Sequence, residues 1–466
     1  MNEDIIINKS TGITRTEKLL AKLCNNTFLE TLSYPNPYNS AGKELCDLIA
    51  IFDNHLYLFF DREIVFKKSN LNQPEVVWDR WFRKVIEKQI KTCNGSERYL
   101  KTGGSVFLDP TKKVPFPINI DINTVSIHKI ILAHGAEDAC KAISESNING
   151  SLGIEYSDGP GRNVTGFPFA VQLSKENIIH IFDSYNMPVI FQELDTFYDF
   201  TQYIVEKERA IDKYKILAYC GEEDLLAHYF RNFDSLENRH YIGTKEQEID
   251  GVYIEEGMWS EFIESDIYKR KKEADKSSYL WDRLIQKTCN NALLGVLGGN
   301  SNLFAGESAI YEMAKEPRFS RRALSDAMGK AITNFPMSNS YAIRNMSFMP
   351  SFYKNKAYIF LQFFMANMIT DYRTYREIRQ YLLDVVCGAT KNRFPLLEII
   401  IGIAAEPPKY CEKISEDFIL LDGRNWNQEK ENYYKTENEK PGCQFYMSNS
   451  LSMIKKHIQE FPNNIE

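Results

Sequence analysis

Apolar positions recur at helical spacing over residues 14–32, where Leu19, Leu20, Leu23, Phe28 and Leu32 repeat and Thr14 or Thr16 can cap the start. The next segment, SYPNPYNSAG (33–42), is rich in Pro, Asn, Ser and Gly and reads as a loop. Two β-prone apolar runs follow, KELCDLIAIF (43–52) and LYLFFDREIVF (56–66), around the turn Asp53-Asn54-His55. That is the pattern of a β-hairpin. Residues 75–101 return to a helical period, with Trp78, Trp81, Val85 and Ile86 toward a core and Lys and Arg frequent elsewhere.

After Gly103-Gly104 the pattern is mixed. VSIHKIILA (125–133) and NIIHIFDS (177–184) read as strands, GAEDACKAISE (135–145) as a helix between strands, and SDGPGRNVTG (157–166) as a loop. Helix resumes over 188–215, and helical periods dominate from about 255. The tail 423–450 is polar and irregular. The expected organisation is an α/β core over 1–125, an α/β continuation over 126–250, and a mostly α-helical part over 251–466. The 466 residues leave room for two to four domains at roughly 100–200 residues each.

Composition narrows the class. Hydrophobic residues make up 43% and charged residues 26%, which excludes a largely disordered chain. The net charge of −7 provides no molecule-wide basic field, so a nucleic-acid partner would need a local patch. The 9 cysteines form no CxxC pair, which suits reduced thiols in a cytoplasmic setting and argues against a Cys₄ zinc site. The start MNEDIIINKS lacks the basic and apolar regions of a signal peptide. The longest apolar runs, YIFLQFFMANMI (358–369) and LLEIIIGIAA (396–405), are shorter than the ~20 residues that span a bilayer. No membrane partner is expected, whereas a protein partner or homo-oligomer is compatible with these features.

The candidate chemistry lies in the hairpin. Asp47 interrupts the apolar run LCDLIAIF, where a buried carboxylate costs several kcal/mol unless paired or metal-bound. Lys43 is the rival partner. A hairpin brings Asp47 and Asp61 onto neighbouring strands, and Glu63 shares a face with Asp61. Glu44 stands at the strand entrance, and Glu17 or Glu30 on the first helix can add an oxygen. Hard cations such as Mg²⁺ take carboxylate oxygens of this kind. Arg62 is adjacent as a possible phosphate contact.

The order of helix, acid-bearing strands and long helix resembles the core of PD-(D/E)xK nucleases. The resemblance implies a restriction-endonuclease-like mixed sheet with flanking helices and a metal-dependent phosphodiester hydrolase. Asp47 and Asp61 would be its paired metal-binding acids. Glu63 occupies the third position, which is usually Lys, although superfamily members with an acid there exist. Residues 33–100 are also similar to a family of uncharacterised bacterial proteins. The shared features are Tyr34 to Pro37, Gly42 to Leu48, Phe60-Asp61-Arg62, Trp78-x-x-Trp81-x-Arg83 and Gly95-Ser96-Glu97-Arg98-Tyr99. That family implies an intact module and no activity, with Lys expected where Arg62 stands. The alternative reading is a catalytically inactive interaction or scaffold protein on the same fold.

Three further features are weaker. Gly295-x-x-Gly298-Gly299-Asn300 has neither a preceding strand nor a Gly-Lys-Ser/Thr, so a loop or helix-end role is expected. The basic groups Lys269 to Lys272 and Arg318, Arg321 and Arg322 suit solvated helix faces, or otherwise a nucleic-acid track. Trp259 and Trp281 suit the core.

Overall fold

The structure, a computed structural model, describes residues 10–65, 74–143, 147–158, 169–246, 248–293, 303–366, 370–411, 414–447 and 459–461. It is a mixed α/β protein with several sheets and divides into two units, Met1–Tyr268 and Lys269–Glu466. Among the described residues no helix is long and apolar enough to cross a membrane.

The first unit begins with α1 (Arg15–Phe28), capped by the Thr14 hydroxyl, which accepts from the Glu17 amide. Strands β1 (Ser33–Pro35), β2 (Leu48–Phe52) and β3 (His55–Glu63) follow. The β2–β3 turn needs only Asp53 and Asn54, because His55 already pairs with Phe52. Asp53 takes φ 54°, a left-handed conformation that a short polar side chain tolerates. The expected long helix forms as α2 (Pro74–Phe82) and α3 (Lys88–Lys101), joined by a π turn at Arg83–Glu87.

Next come β4 (Ser126–His134), α4 (Glu137–Ile143), β5 (Gly153–Ser157), β6 (Ala170–Ser174), β7 (His180–Asp183), α5 (Asn186–Glu193) and α6 (Phe197–Lys213). The unit continues through β8 (Ile216–Tyr219), α7 (Glu222–Arg231), β9 (Phe233–Asp234), β10 (Arg239–His240), β11 (Gly251–Ile254) and α8 (Met258–Glu264). The loop expected over 157–166 falls mostly outside the described residues.

The first sheet runs β1-β2-β3-β4-β7. Its β2–β3 pair is antiparallel, whereas β3, β4 and β7 are parallel, so residues beyond 125 complete the sheet that the hairpin starts. The alternation along β3 puts Tyr57, Phe59, Asp61 and Glu63 on one face, and register aligns His128, Ile130, Leu132 and His134 of β4 with them. Helices α1, α5 and α6 cover this face, where Phe28 packs on Tyr57 and Phe59, Phe191 on Phe59, and Phe200 on Tyr57. A second sheet, β11-β8-β5-β6, extends the unit.

The second unit starts within α9 (Asp266–Leu293) and contains α10 (Leu303–Ala314), α11 (Arg318–Thr333), β12 (Ala342–Pro350), β13 (Lys356–Met365), α12 (Tyr372–Arg393), β14 (Ile399–Ala405), β15 (Glu416–Asp422) and α13 (Gln428–Glu439). Among its described residues, helices hold more than strands do. Its centre, however, is a sheet, β12-β13-β14-β15, that helical periodicity did not anticipate. The two longest apolar runs of the chain supply most of its parallel central strands β13 and β14, packed against α12 through Ile359, Leu361, Leu383, Val386 and Ile400.

Two expectations need correction here. The tail is not wholly irregular: Asn427 caps α13, and Tyr434 stacks on Trp426 and donates to Asp384. The basic clusters are not simply solvated faces. Arg318 and Arg321 both pair with Asp282, and Arg322 and Lys271 pair with Asp275 at 2.6 and 2.9 Å; all four cations are buried. Paired acids, invisible to a count of basic residues, draw them inward. The glycine-rich segment 295–300 lies outside the described residues.

Candidate functional site

Parallel strands bring their carboxyl ends to one edge, and open α/β sheets bind ligands at such an edge. Here the ends of β3, β4 and β7 deliver Asp61 and Glu63, His134, and Asp183 and Ser184. Two contacts pin this edge. Trp81 Nε1 donates to the Ile64 carbonyl at 3.0 Å. Gly135, at φ 96°, passes so close that a Cβ there would lie 2.3 Å from the same oxygen.

The loop 33–47 supplies the other side. Asn36, buried and at φ 50°, donates its side-chain amide to Glu44 Oε1 at 2.7 Å and to Glu17 Oε2 at 3.4 Å. Glu17 also accepts from the Ile13 amide at 2.7 Å. The Asn36 amide donates to the Asp47 carbonyl, so one residue ties the acids of α1 and the loop to the entrance of β2. Ser96 of α3 donates to the Leu45 carbonyl at 2.6 Å, and Tyr99 OH accepts from the Ser40 amide. The YPNP, GKELCDL and GSERY segments thus meet around this edge.

Asp47 Oδ2 accepts from the Asp61 amide at 2.6 Å. Burial pushes the Asp47 carboxyl up to about 8, opposed by that amide and reinforced by Glu44, Asp61 and Glu17. Lys43 is exposed and makes no ion pair among the described residues, so it does not neutralise Asp47. The Asp61 side chain is 2% exposed, and neither of its oxygens has a hydrogen-bond partner. Its nearest cationic candidate, His134 Nε2, is 3.2 Å from Oδ1 but not aligned for a hydrogen bond. The other His134 nitrogen, Nδ1, meets Ser184 Oγ at 2.7 Å.

Of the residues singled out in the sequence, Asp47, Asp61, Glu44 and Glu17 converge. Glu63 is exposed two residues beyond Asp61, on the same face at the rim. Arg62 is exposed on the opposite face and is not gathered into the cluster, as strand alternation dictates. The side chain of Glu30 lies outside the described residues.

Sequence reasoning missed Asn36 and His134. The signal for Asn36 was its place between two prolines. For His134 it was the six-residue spacing from His128, which puts both rings on one strand face. Four of the 7 histidines, His55, His128, His134 and His180, fall on this face of the sheet.

Farther from the edge, α6 lays Glu208 over two of them. Glu208 Oε1 lies 2.8 Å from His128 Nδ1 and 3.1 Å from His180 Nε2. Despite burial, these rings hold the Glu208 carboxyl well below the usual range. His128 Nε2 contacts His55 Nδ1 at 2.9 Å, and burial lowers His55 to about 4.

A second carboxylate group lies where β7 meets α7. Glu223 Oε1 accepts from Ser151 at 2.5 Å, its Oε2 has no partner, and burial together with Asp183 raises its pKa. Asp183 is also raised by burial, against three backbone donors from Asn186, Leu152 and Tyr185.

No family model matches the chain, and comparison with curated proteins and with solved structures returns no match.

Proposed function

We propose that the carboxyl edge of the first sheet is a divalent-cation site for phosphodiester hydrolysis, with Mg²⁺ as the natural ion and nucleic acid as the substrate class. The observation that carries this reading is Asp61: a carboxylate 2% exposed, with no hydrogen bond to either oxygen and only His134 Nε2 at 3.2 Å, beside a second acid whose carboxyl is pushed up to about 8. Such a pair is costly without a cation and favourable around one. The order α1, hairpin, α2–α3 and parallel β4 supports a restriction-endonuclease-like core. In this reading Asp47 and Asp61 hold the ion, with Glu44 nearby. Glu63, at the rim, orients the attacking water. The water oxygen would bond to phosphorus and pass a proton to Glu63 as the phosphorus–oxygen bond to the leaving sugar oxygen breaks, that oxygen taking a proton from solvent; a cation held by Asp47 and Asp61 would supply charge stabilisation. Arg62 has no role in it, because it faces away.

The test is incubation of the full chain with DNA and with RNA in Mg²⁺ or Mn²⁺, comparing wild type with Asp61→Asn and Asp47→Ala. Cleavage that both variants lose supports the site. Equal products from all three proteins eliminate it. No cleavage, together with no cation binding by calorimetry, leaves the same fold as an interaction scaffold.

A further inference from the structure

We propose that His128, His180 and Glu208 form a second metal site, of the zinc class, separate from the acidic edge and fastening α6 to the first sheet. The donors come from three elements: His128 from β4, His180 from the adjacent parallel strand β7, and Glu208 from the helix laid across them. One donor atom from each lies within 4.8 Å of the other two. The contacts of 2.8 and 3.1 Å to Glu208 Oε1 approach the spacing of about 3.3 Å between ligands of a tetrahedral ion with bonds near 2.0–2.1 Å. Seating an ion brings the two ring nitrogens, which lie within 4.8 Å of each other, toward that spacing and draws Glu208 back by a few tenths of an ångström. That is the side chain free to give, since it is 28% exposed while the two rings are 2% and 0%.

The surroundings suit metal ligation. A ligating histidine directs its other ring nitrogen to a hydrogen-bond partner that fixes ring and tautomer. His128 does so: its Nε2 meets His55 Nδ1 at 2.9 Å, and the two rings stack at 5.2 Å. His55 Nδ1 is placed to accept the proton of His128 Nε2, which leaves the lone pair of His128 Nδ1 for the ion. His180 Nδ1 has no partner and so fixes no tautomer, and Nε2 can present its lone pair. The nearby cation Lys207 is committed to Glu222 at 2.7 Å and does not compete for Glu208. Two imidazoles and one carboxylate favour zinc over magnesium or calcium, which prefer all-oxygen shells. Three protein ligands leave a fourth position for water.

Metal analysis of the full chain tests this. After exposure to Zn²⁺ and dialysis, the wild type is expected to retain about one equivalent in the presence of excess Mg²⁺, and Co²⁺ is expected to give the visible absorption of a tetrahedral site. Glu208→Gln keeps shape and packing at a partly buried position and is expected to weaken zinc by ~10-fold or more and remove the cobalt signal. His128→Gln gives a second ligand variant. Asp61→Asn is expected to retain the zinc, which separates this site from the edge. No bound zinc in the wild type, or equal zinc and cobalt binding by wild type and Glu208→Gln, overturns the proposal.

Discussion

Replacing Asp47 with Asn tests the acidic edge most directly, because it removes a charge and keeps the shape. The Asn carbonyl oxygen can still accept from the Asp61 amide, which now reaches Asp47 Oδ2 at 2.6 Å. In the wild type the carboxyl titrates near 8 instead of near 3.8. Between those values the folded chain holds a proton that the unfolded chain has lost, so this group's contribution falls as pH rises and is least above 8. The span from 3.8 to about 8 sets an upper bound of about 5–6 kcal/mol. Water reaching a half-buried carboxyl and relaxation of Glu44 and Glu17 reduce this to roughly 1–3 kcal/mol. In chelator at pH 9, Asp47→Asn is therefore expected to be more stable than wild type by that amount in urea melts, and about equal to it at pH 4. Added Mn²⁺ or Mg²⁺ should reverse the order. A ligand at 100 times its Kd adds about 2.7 kcal/mol to the protein that binds it, and the variant lacks the site. A variant less stable than wild type at pH 9 in chelator, or cation stabilisation equal in both proteins, would refute the reasoning.

Glu223 is held protonated by burial and by Asp183, so its contribution is likewise full at low pH and declines as pH rises toward its raised pKa; Glu223→Gln is expected to flatten that decline by about 1–2 kcal/mol in melts across pH 4–9. Arg379 is fully buried between Glu406 at 2.7 Å and Asp417 at 2.5 Å, so Arg379→Met leaves Glu406 without its paired cation and Asp417 with Arg376, and should cost about 3–5 kcal/mol by urea denaturation. Gly135→Ala forces a side chain into φ 96° against the Ile64 carbonyl; a loss of roughly 2–4 kcal/mol is expected, together with weaker cation binding at the edge, read by melting and calorimetry.

The hairpin and its flanking helices were legible because period-2 and period-3.6 patterns follow directly from which face is buried. The second unit's sheet was not. Within YIFLQFFMANMI and LLEIIIGIAA the strand residues 358–365 and 399–405 are buried at nearly every position, so neither shows an alternation, and a continuous apolar run of that length does not by itself distinguish a buried strand from a buried helix. Arg318, Arg321 and Arg322 misled for a related reason. A charge reads as exposed unless its partner is visible, and Asp282 and Asp275 stand some forty residues away on another helix. Long-range pairing of this kind leaves no local trace.

The candidate site divides in the same way. Asp47 could be read from sequence because a charge inside an apolar strand contradicts its surroundings, and such contradictions concentrate where function sets the residue. Asp61 could be read only through its hairpin distance from Asp47. The six-residue spacing of His128 and His134 marks one strand face, but their grouping with Asp61 and His180 could not be read: it exists only once β3, β4 and β7 lie side by side, and β7 begins more than forty residues after β4 ends. Asn36 lies between these cases. Its two flanking prolines mark a fixed loop, but its purpose appears only when its amide is found holding Glu17 and Glu44 together. An asparagine that joins two carboxylates and hydrogen-bonds the backbone of a third acid organises the negative charge that a divalent ion would neutralise. Asn36→Ala should therefore separate the acids, lowering cation affinity more than it lowers stability.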